Sequence, residues 1–253
     1  IEASYLRSVE TLFFESIFVI PIFARAGDNI VHRSTRMPWY GGPALLGYLE
    51  TVSVSRPRNR APGFRMPVQW VNRPHADFRG YAGTLASGTV RVGDAVTALP
   101  NGRSSVIARV LTPQGESGQA RAGQPVTLVL RDEIDVSRGD ALVAASDTLT
   151  AVRRVTARVL SMGEEGLSGQ SSLMIKVGAA VANARIVRVV NAVDINSFGD
   201  HAAERLDMNQ VGLVELEFDK PLVVEAYRRN GALGAFILID RVGNQTVGMG
   251  VVE

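Results

Sequence analysis

The sequence has 253 residues, with 27 Lys and Arg against 25 Asp and Glu, a formal charge of +2. That charge is too small to mark a nucleic-acid-binding surface by itself. Cysteine is absent, which excludes a disulfide framework, a thiolate zinc site and a cysteine nucleophile. Apolar residues make up 46% of the chain, ample for packed cores. At roughly 100–200 residues per domain, the length predicts two domains with room for a further fragment. No uncharged apolar run reaches the ~18 residues of a membrane-spanning helix. The longest candidate, Leu12 to Ala24, is interrupted by Glu15, Ser16 and Pro21. Glu2 and Glu10 oppose a signal peptide, which needs basic residues before its apolar stretch. No membrane association and a cytoplasmic location are therefore expected. The chain opens on Ile1 rather than Met, so it is expected to begin inside a longer protein.

Residues 1–51 read as α/β. Tyr5, Leu6, Val9, Leu12 and Phe13 recur at helical spacing. Ile17 to Phe23 is a short β-branched and aromatic run that predicts a buried strand. Gly27, Asp28 and Asn29 mark a turn. Ala44 to Val52, with Leu45, Leu46 and Leu49 on one face, reads as a helix with Pro43 suited to its first turn. Such a piece cannot bury its strand alone and looks like the end of a domain. Residues 52–65 are basic and rich in Pro and Gly, the composition of a solvated linker.

From Met66 the pattern is nearly all β. Val96 to Leu99 leads into Pro100-Asn101-Gly102, a hairpin signal because Asn-Gly accepts positive φ. Val106 to Leu111 and Val126 to Leu130 follow, and Asp135 to Asp140 turns back. These elements predict one compact barrel over 62–148. A second, over 149–253, is predicted from Val155 to Leu160, Leu173 to Val177, Ala184 to Val190, Phe236 to Ile239 and Thr246 to Val251. Val214, Leu216 and Phe218 alternate with Glu215 and Glu217, as in a half-exposed strand. Glu164-Glu165-Gly166 reads as a turn, and only His201 to Leu206 hints at a helix.

The segment Phe78 to Asp94, FRGYAGTLASGTVRVGD, resembles the second domain of translational GTPases such as elongation factor Tu. Gly88 and Gly93 stand there where tight turns or bulges need positive φ. Phe64 to Pro74 (FRMPVQWVNRP), Met37 to Leu46 (MPWYGGPALL), Asn209 to Val214 (NQVGLV) and Gly234 to Gly248 (GAFILIDRVGNQTVG) are similar to a narrower family. That family is the large GTPase subunits of bacterial sulfate adenylyltransferases. The resemblance implies a mainly β fold: two successive elongation-factor-Tu-like barrels preceded by an α/β remnant, over 1–51, of a P-loop GTPase domain. It implies an enzyme complex in which GTP hydrolysis, with Mg2+, drives formation of adenosine 5′-phosphosulfate and pyrophosphate from ATP and sulfate. It also implies a small catalytic subunit as partner, with residues 52–65 as a hinge. It leaves open a fused adenylylsulfate kinase domain after Glu253. An alternative reading keeps the barrels but assigns them to a translation factor that binds RNA or the ribosome.

The chain contains no Gly-x-x-x-x-Gly-Lys-Ser/Thr phosphate loop and no Asn-Lys-x-Asp guanine motif. By itself it is expected to be inactive as a GTPase and to hold no nucleotide. Pro21 to Asn29 (PIFARAGDN) resembles the fifth GTPase motif. The resemblance implies that the backbone N–H of Ala24, with Arg25 beside it, reaches the guanine carbonyl, although Phe23 stands where serine is usual. Arg79 is a candidate contact to another domain or partner, weighed against a structural salt bridge at a strand end. Trp39 and Tyr40 are expected to pack a domain junction. His32, His75 and His201 are isolated and predict no zinc site. Asp132, Glu133 and Asp135 read as a solvated loop. Ser104 and Ser105 lack the context of a nucleophile, so no catalytic residue is expected in this chain.

Overall fold

The computed structural model describes residues 2–9, 14, 16–53, 63–194, 197 and 199–253. The chain divides into two compact units, Ile1–Arg56 and Pro57–Glu253. The first contains α1 (Glu2–Ser8), a 3-10 turn at Ala24–Ala26 and α2 (Leu45–Thr51). Pro43 lies one residue ahead of the α2 cap, Ala44, rather than in the first turn.

The strand expected over Ile17 to Phe23 does not form; the run makes only an isolated bridge between Phe23 and Asp28. A β-ladder needs a second strand to receive its N–H and C=O groups, and the described residues of this unit supply none. Ile17, Phe18, Val19, Ile22 and Phe23 are exposed, as are Leu46 and Leu49 of α2. Phe18 stacks on Tyr48 with ring centroids 4.6 Å apart. Trp39, expected to be packed, is 73% exposed and meets Tyr40 edge-on.

The second unit is built from antiparallel strands. The first group is β1 (Arg65–Pro67), β2 (Trp70–Asn72), β3 (Gly80–Thr84), β4 (Thr89–Arg91), β5 (Ala95–Leu99), β6 (Arg103–Thr112), β7 (Gly115–Ser117), β8 (Gln119–Arg121), β9 (Pro125–Leu130) and β10 (Ala141–Ala144). Its sheet runs β1-β10-β5-β6-β9-β3-β2, with β7 beside β6 and a separate β4–β8 pair. β1 and β2 are consecutive in sequence yet lie at opposite ends of that order, so the sheet curls until one bent segment closes it. Pro100-Asn101-Gly102 makes the β5–β6 hairpin, with Gly102 at φ 72°. Gly88, at φ 67°, could not carry a side chain: a Cβ there would stand 2.7 Å from the backbone of Gly63 and Phe64.

The second group is β11 (Ala151–Ser161), β12 (Leu167–Ser168), β13 (Leu173–Val177), β14 (Ala180–Val193), β15 (Asp200–His201), β16 (Arg205–Leu206), β17 (Val211–Val223), the short α3 (Gly231–Gly234), β18 (Ala235–Asp240) and β19 (Thr246–Val252). The sheet order β13-β18-β19-β11-β17-β14 returns through a β13–β14 pairing, which closes a six-stranded barrel. β17 shows why: Val214, Leu216 and Phe218 point into the core while Glu215 and Glu217 face out. The helix hinted at over His201 to Leu206 is instead two short strand pieces, β15 beside β14 and β16 beside β12. Inter-strand hydrogen bonds outweigh local helical preference here, since so short a helix is marginal alone.

Each barrel has its own core: Met66, Tyr81, Leu128 and Leu142 are central in one, and Ile175, Leu216 and Leu238 in the other. A third cluster joins them, with Ala141 and Val143 of β10 packed with Val223 of β17. Beside it lies a buried ion cluster. Arg65 of β1 donates to Asp147 through Nε at 2.7 Å and Nη2 at 2.9 Å, and through Nη1 to Glu225. The three side chains are 5%, 3% and 8% exposed. Of the expected solvated connector, residues 54–62 lie outside the described residues. Phe64 and Arg65 contradict the expectation: both are buried in the first barrel, because Phe64 fills its core and Arg65 finds two carboxylates there.

Replacing Arg65 alone by Met is expected to cost about 3–5 kcal/mol, because two buried carboxylates lose their cation. The Arg65 hydrogen bonds hold the Asp147 carboxyl below its ordinary range. Stability from a depressed carboxylate is present above the unfolded-state pKa and is lost as pH falls through the folded one. The gap between the natural chain and R65M should therefore narrow as pH drops below about 4. Urea unfolding at pH 7 and pH 3 checks this; a gap of constant size contradicts it.

Candidate functional site

Pro21 to Asn29 forms a tight, cross-braced loop. The 3-10 turn follows Phe23, whose side chain gives no capping bond, and ends at Gly27 with φ 76°. Gly27 N–H donates to the Ala24 carbonyl and Asp28 N–H to the Phe23 carbonyl. The N–H groups of Ala24 and Arg25 open the turn, so no carbonyl within it can accept from them. Both residues are exposed. Within the turn both are therefore backbone donors without a carbonyl acceptor.

Asn29 fixes this loop from beneath. It is 1% exposed, with φ 57°. Its Nδ2 donates to the Pro21 carbonyl at 2.8 Å, and its Oδ1 accepts from Ser34 N–H at 2.8 Å. Its own carbonyl accepts from Leu45 N–H, which ties the loop to the start of α2. Asp28 accepts from the Ser34 hydroxyl at 2.6 Å and from Arg36. The Ser34 hydroxyl holds the Asp28 carboxyl below its ordinary pKa; burial opposes it, and Arg36 adds to the lowering. Arg36 also lies over the Phe23 ring, 5.6 Å from its centroid. The aromatic ring at this position thus has a cation above it.

Arg79 belongs to the other compact unit, so the expected site residues do not fall in one body. No ion pair holds it among the described residues. It donates to the Val136 carbonyl at 3.3 Å and lies over the Tyr81 ring at 5.5 Å. Tyr81 in turn donates to the Ile134 carbonyl at 3.2 Å, and burial raises its phenol pKa. Arg79 therefore staples β3 to the loop before β10, in place of the strand-end salt bridge weighed from the sequence. Its Nε is buried without a hydrogen-bond partner. Nearby, Asp132 accepts from the Ser105 hydroxyl at 2.9 Å, so the loop carboxylate and the serine are engaged with each other.

Residues 154–253 match the model of the GTP-eEF1A C-terminal domain-like family. The chain is 48% identical over 92% of its length to sulfate adenylyltransferase subunit 1 of Citrobacter koseri, and covers 49% of that protein. The subunit 1 of Sodalis glossinidius is 46% identical over 100% of this chain, which covers 53% of it. Over nearly its whole length the chain is thus similar to sulfate adenylyltransferase subunit 1. It spans about half the length of the curated relatives it matches. Among solved structures, Sup35 complexed with GDP superposes on 90% of this chain and 56% of its own, with a TM-score of 0.71 and 22% identity. Elongation factor SelB of Methanococcus maripaludis, in the apo form, covers 82% of this chain and 46% of its own at TM-score 0.61 and 18% identity. At these identities the likeness is one of fold. The two barrels share the fold of the corresponding regions of those structures.

The residue that sequence reasoning missed is Arg65. Its one available signal was position: it sits between Phe64 and Met66, two apolar residues of a β pattern, rather than among the polar residues of a connector. Asn29 was read as a turn residue; its buried side-chain bonds had no sequence signal beyond its tolerance of positive φ.

Replacing Asn29 by Ala removes three side-chain hydrogen bonds, to the Pro21 carbonyl, the Met37 sulfur and the Ser34 N–H, and leaves a Cβ residue at positive φ, a local loss of roughly 2–4 kcal/mol. Amide exchange at Ser34, the donor to Asn29 Oδ1, should accelerate by about tenfold or more. Unchanged exchange there would show that Asn29 does not anchor the loop.

Proposed function

We propose that this chain is the barrel-bearing part of the GTPase subunit of a sulfate adenylyltransferase. In such a complex GTP hydrolysis is coupled to synthesis of adenosine 5′-phosphosulfate from ATP and sulfate, with a separate small subunit carrying out adenylyl transfer. The observation that carries this reading is the 48% identity to subunit 1 across 92% of the chain, not the likeness to translation factors, which is shared fold. On this reading residues 1–51 are the end of the GTPase domain. Bound GTP with Mg2+ supplies the hydrolytic free energy that the coupling draws on.

The braced loop fits a guanine edge. The Ala24 N–H opens a 3-10 turn and would donate to the base carbonyl, while the buried Asn29 braces the loop that carries it. The Arg25 amide adjoins it. The phosphates and Mg2+ are not assigned to residues of this chain, which carries no phosphate loop. On this reading the 253 residues alone do not hydrolyse GTP.

The barrels relay the nucleotide state to the partner. Relay requires that the GTP and GDP forms differ in their contact free energy with the small subunit. The Arg65 cluster supports this role, since it ties both barrels into a body that can move as one. Arg79 remains a candidate contact to a neighbouring domain or subunit.

The test uses the complete protein with its partner subunit. Pyrophosphate release from ATP and sulfate is expected to rise about 5-fold or more on adding GTP, the lower end of usual coupling free energies. GDP is expected to slow exchange of the Ala24 amide. Synthesis indifferent to GTP rejects the coupling, and an Ala24 amide indifferent to GDP rejects the guanine assignment.

A further inference from the structure

The outer wall of the second barrel has two unlike halves. Around β17 it is charged and internally paired: Glu217 meets Arg154 and Arg185, and Glu215 meets Arg188. The face made by β13, β18, β19 and β11 is different. The ladder registers align Lys176 with Ile237, Ile237 with Met249, Met249 with Leu160, and Leu160 with Val211. Antiparallel partners point to the same side of a sheet, so these five form one outward row across five strands. At a strand spacing of about 4.8 Å, the row spans roughly 19 Å. Next to it, Ala235 pairs with Val251 and Val251 with Arg158. Met249 is 45% exposed. With Tyr227 at its edge, this face forms an open groove of about 600 Å³.

A soluble barrel wall ordinarily alternates apolar-in with polar-out; this half breaks the rule over a contiguous row, the mark of an interaction surface. Its charge says what fits. The lining contains Lys176 and Arg158 and no carboxylate. Arg158 is paired with Glu253 at 3.0 Å, whereas Lys176 has no ion pair among the described residues. A second copy of the face would bring apolar side chains but no free carboxylate to Lys176.

We propose that this row docks a separate polypeptide presenting apolar side chains with a carboxylate at one end, and that the polypeptide is the enzyme's second subunit. The proposal rests on the sulfate adenylyltransferase reading above. The apolar side chains cover Ile237, Met249 and Leu160, and the carboxylate meets Lys176. The charged half of the wall stays in water.

The experiment measures the Kd of the full-length protein for the purified second subunit by calorimetry. Met249→Glu puts a charge into the centre of the row and should weaken binding about tenfold or more, as loss of a central anchor does. Lys176→Glu should weaken it about fivefold or more, with weaker salt dependence. Arg154→Glu, on the charged half, should leave Kd unchanged. All three side chains are solvent-exposed, and thermal unfolding confirms that each variant is folded. If the natural protein does not bind the second subunit, the sulfate adenylyltransferase reading falls and takes this proposal with it. If it binds and the two groove variants bind as tightly, or the Arg154 variant weakens equally, only the groove assignment is overturned. Loss of self-association, or a lowered Tm of the isolated protein with Kd unchanged, would name a second copy or the rest of the same chain as the occupant and would also overturn it.

Discussion

Arg65 lies almost out of water with Asp147 bonded to both its Nε and Nη2 and Glu225 on its Nη1. The arrangement joins three distant parts of the chain: the first strand of one barrel, the segment between β10 and β11, and the segment after β17. Burying these charges is costly, and a comparable apolar cluster would hold the barrels at least as firmly. Ions add directional demand. Two nitrogens of the guanidinium must meet one carboxylate while a third meets the other, so a small rotation of one barrel against the other leaves a charge unpaired in a dry place. The apolar contact of Ala141, Val143 and Val223 tolerates sliding; the ion cluster does not. Together they make the two barrels one compact unit.

With that orientation fixed, the second barrel's outer wall divides by chemistry. Inward residues along every strand are apolar, as barrel closure requires. Outward residues differ strand by strand. Those of β17 carry carboxylates that neighbouring arginines from β11 and β14 satisfy, each pair giving little net stability at the surface. Those of β18 and β19 include Ile237, Met249 and Val251. The paired charges keep one half soluble and specific, while the apolar half gains free energy only when covered.

Legibility from sequence followed the range of the interactions. The alternation from Val214 to Phe218 encodes a strand because its period of two is a local property of the chain. Gly88 and Asn101-Gly102 were readable because positive φ is set within a residue or two. Ile17 to Phe23 misled because strand-like composition shows only that a segment suits a ladder, and the partner must come from elsewhere. His201 to Leu206 misled in the opposite sense: its pairings with β14 and β12 outweighed a weak helical pattern. Arg65 was hidden for the same reason. Its partners are 82 and 160 residues away, and an arginine among prolines and glycines looks solvated until those partners are known. Arg79 was visible as a functional candidate, but its attachment to Val136 and Tyr81 was not.

The loop at Pro21 to Asn29 carries a further consequence of local braces. The turn that opens at Ala24 and Arg25 is held by the left-handed Gly27 at its end and by the buried Asn29, which bonds to both flanks. A donor fixed in this way need not be ordered when a ligand arrives, which lowers the entropic cost of recognition. Phe23 contributes no hydroxyl, so on the proposed guanine reading recognition at this edge would rest on backbone donors. Backbone donors are insensitive to the identity of the side chains that bear them. A phenylalanine in this loop is therefore compatible with the donor geometry as long as Gly27 and Asn29 keep the turn, and the cation of Arg36 above the ring gives that phenylalanine a place of its own.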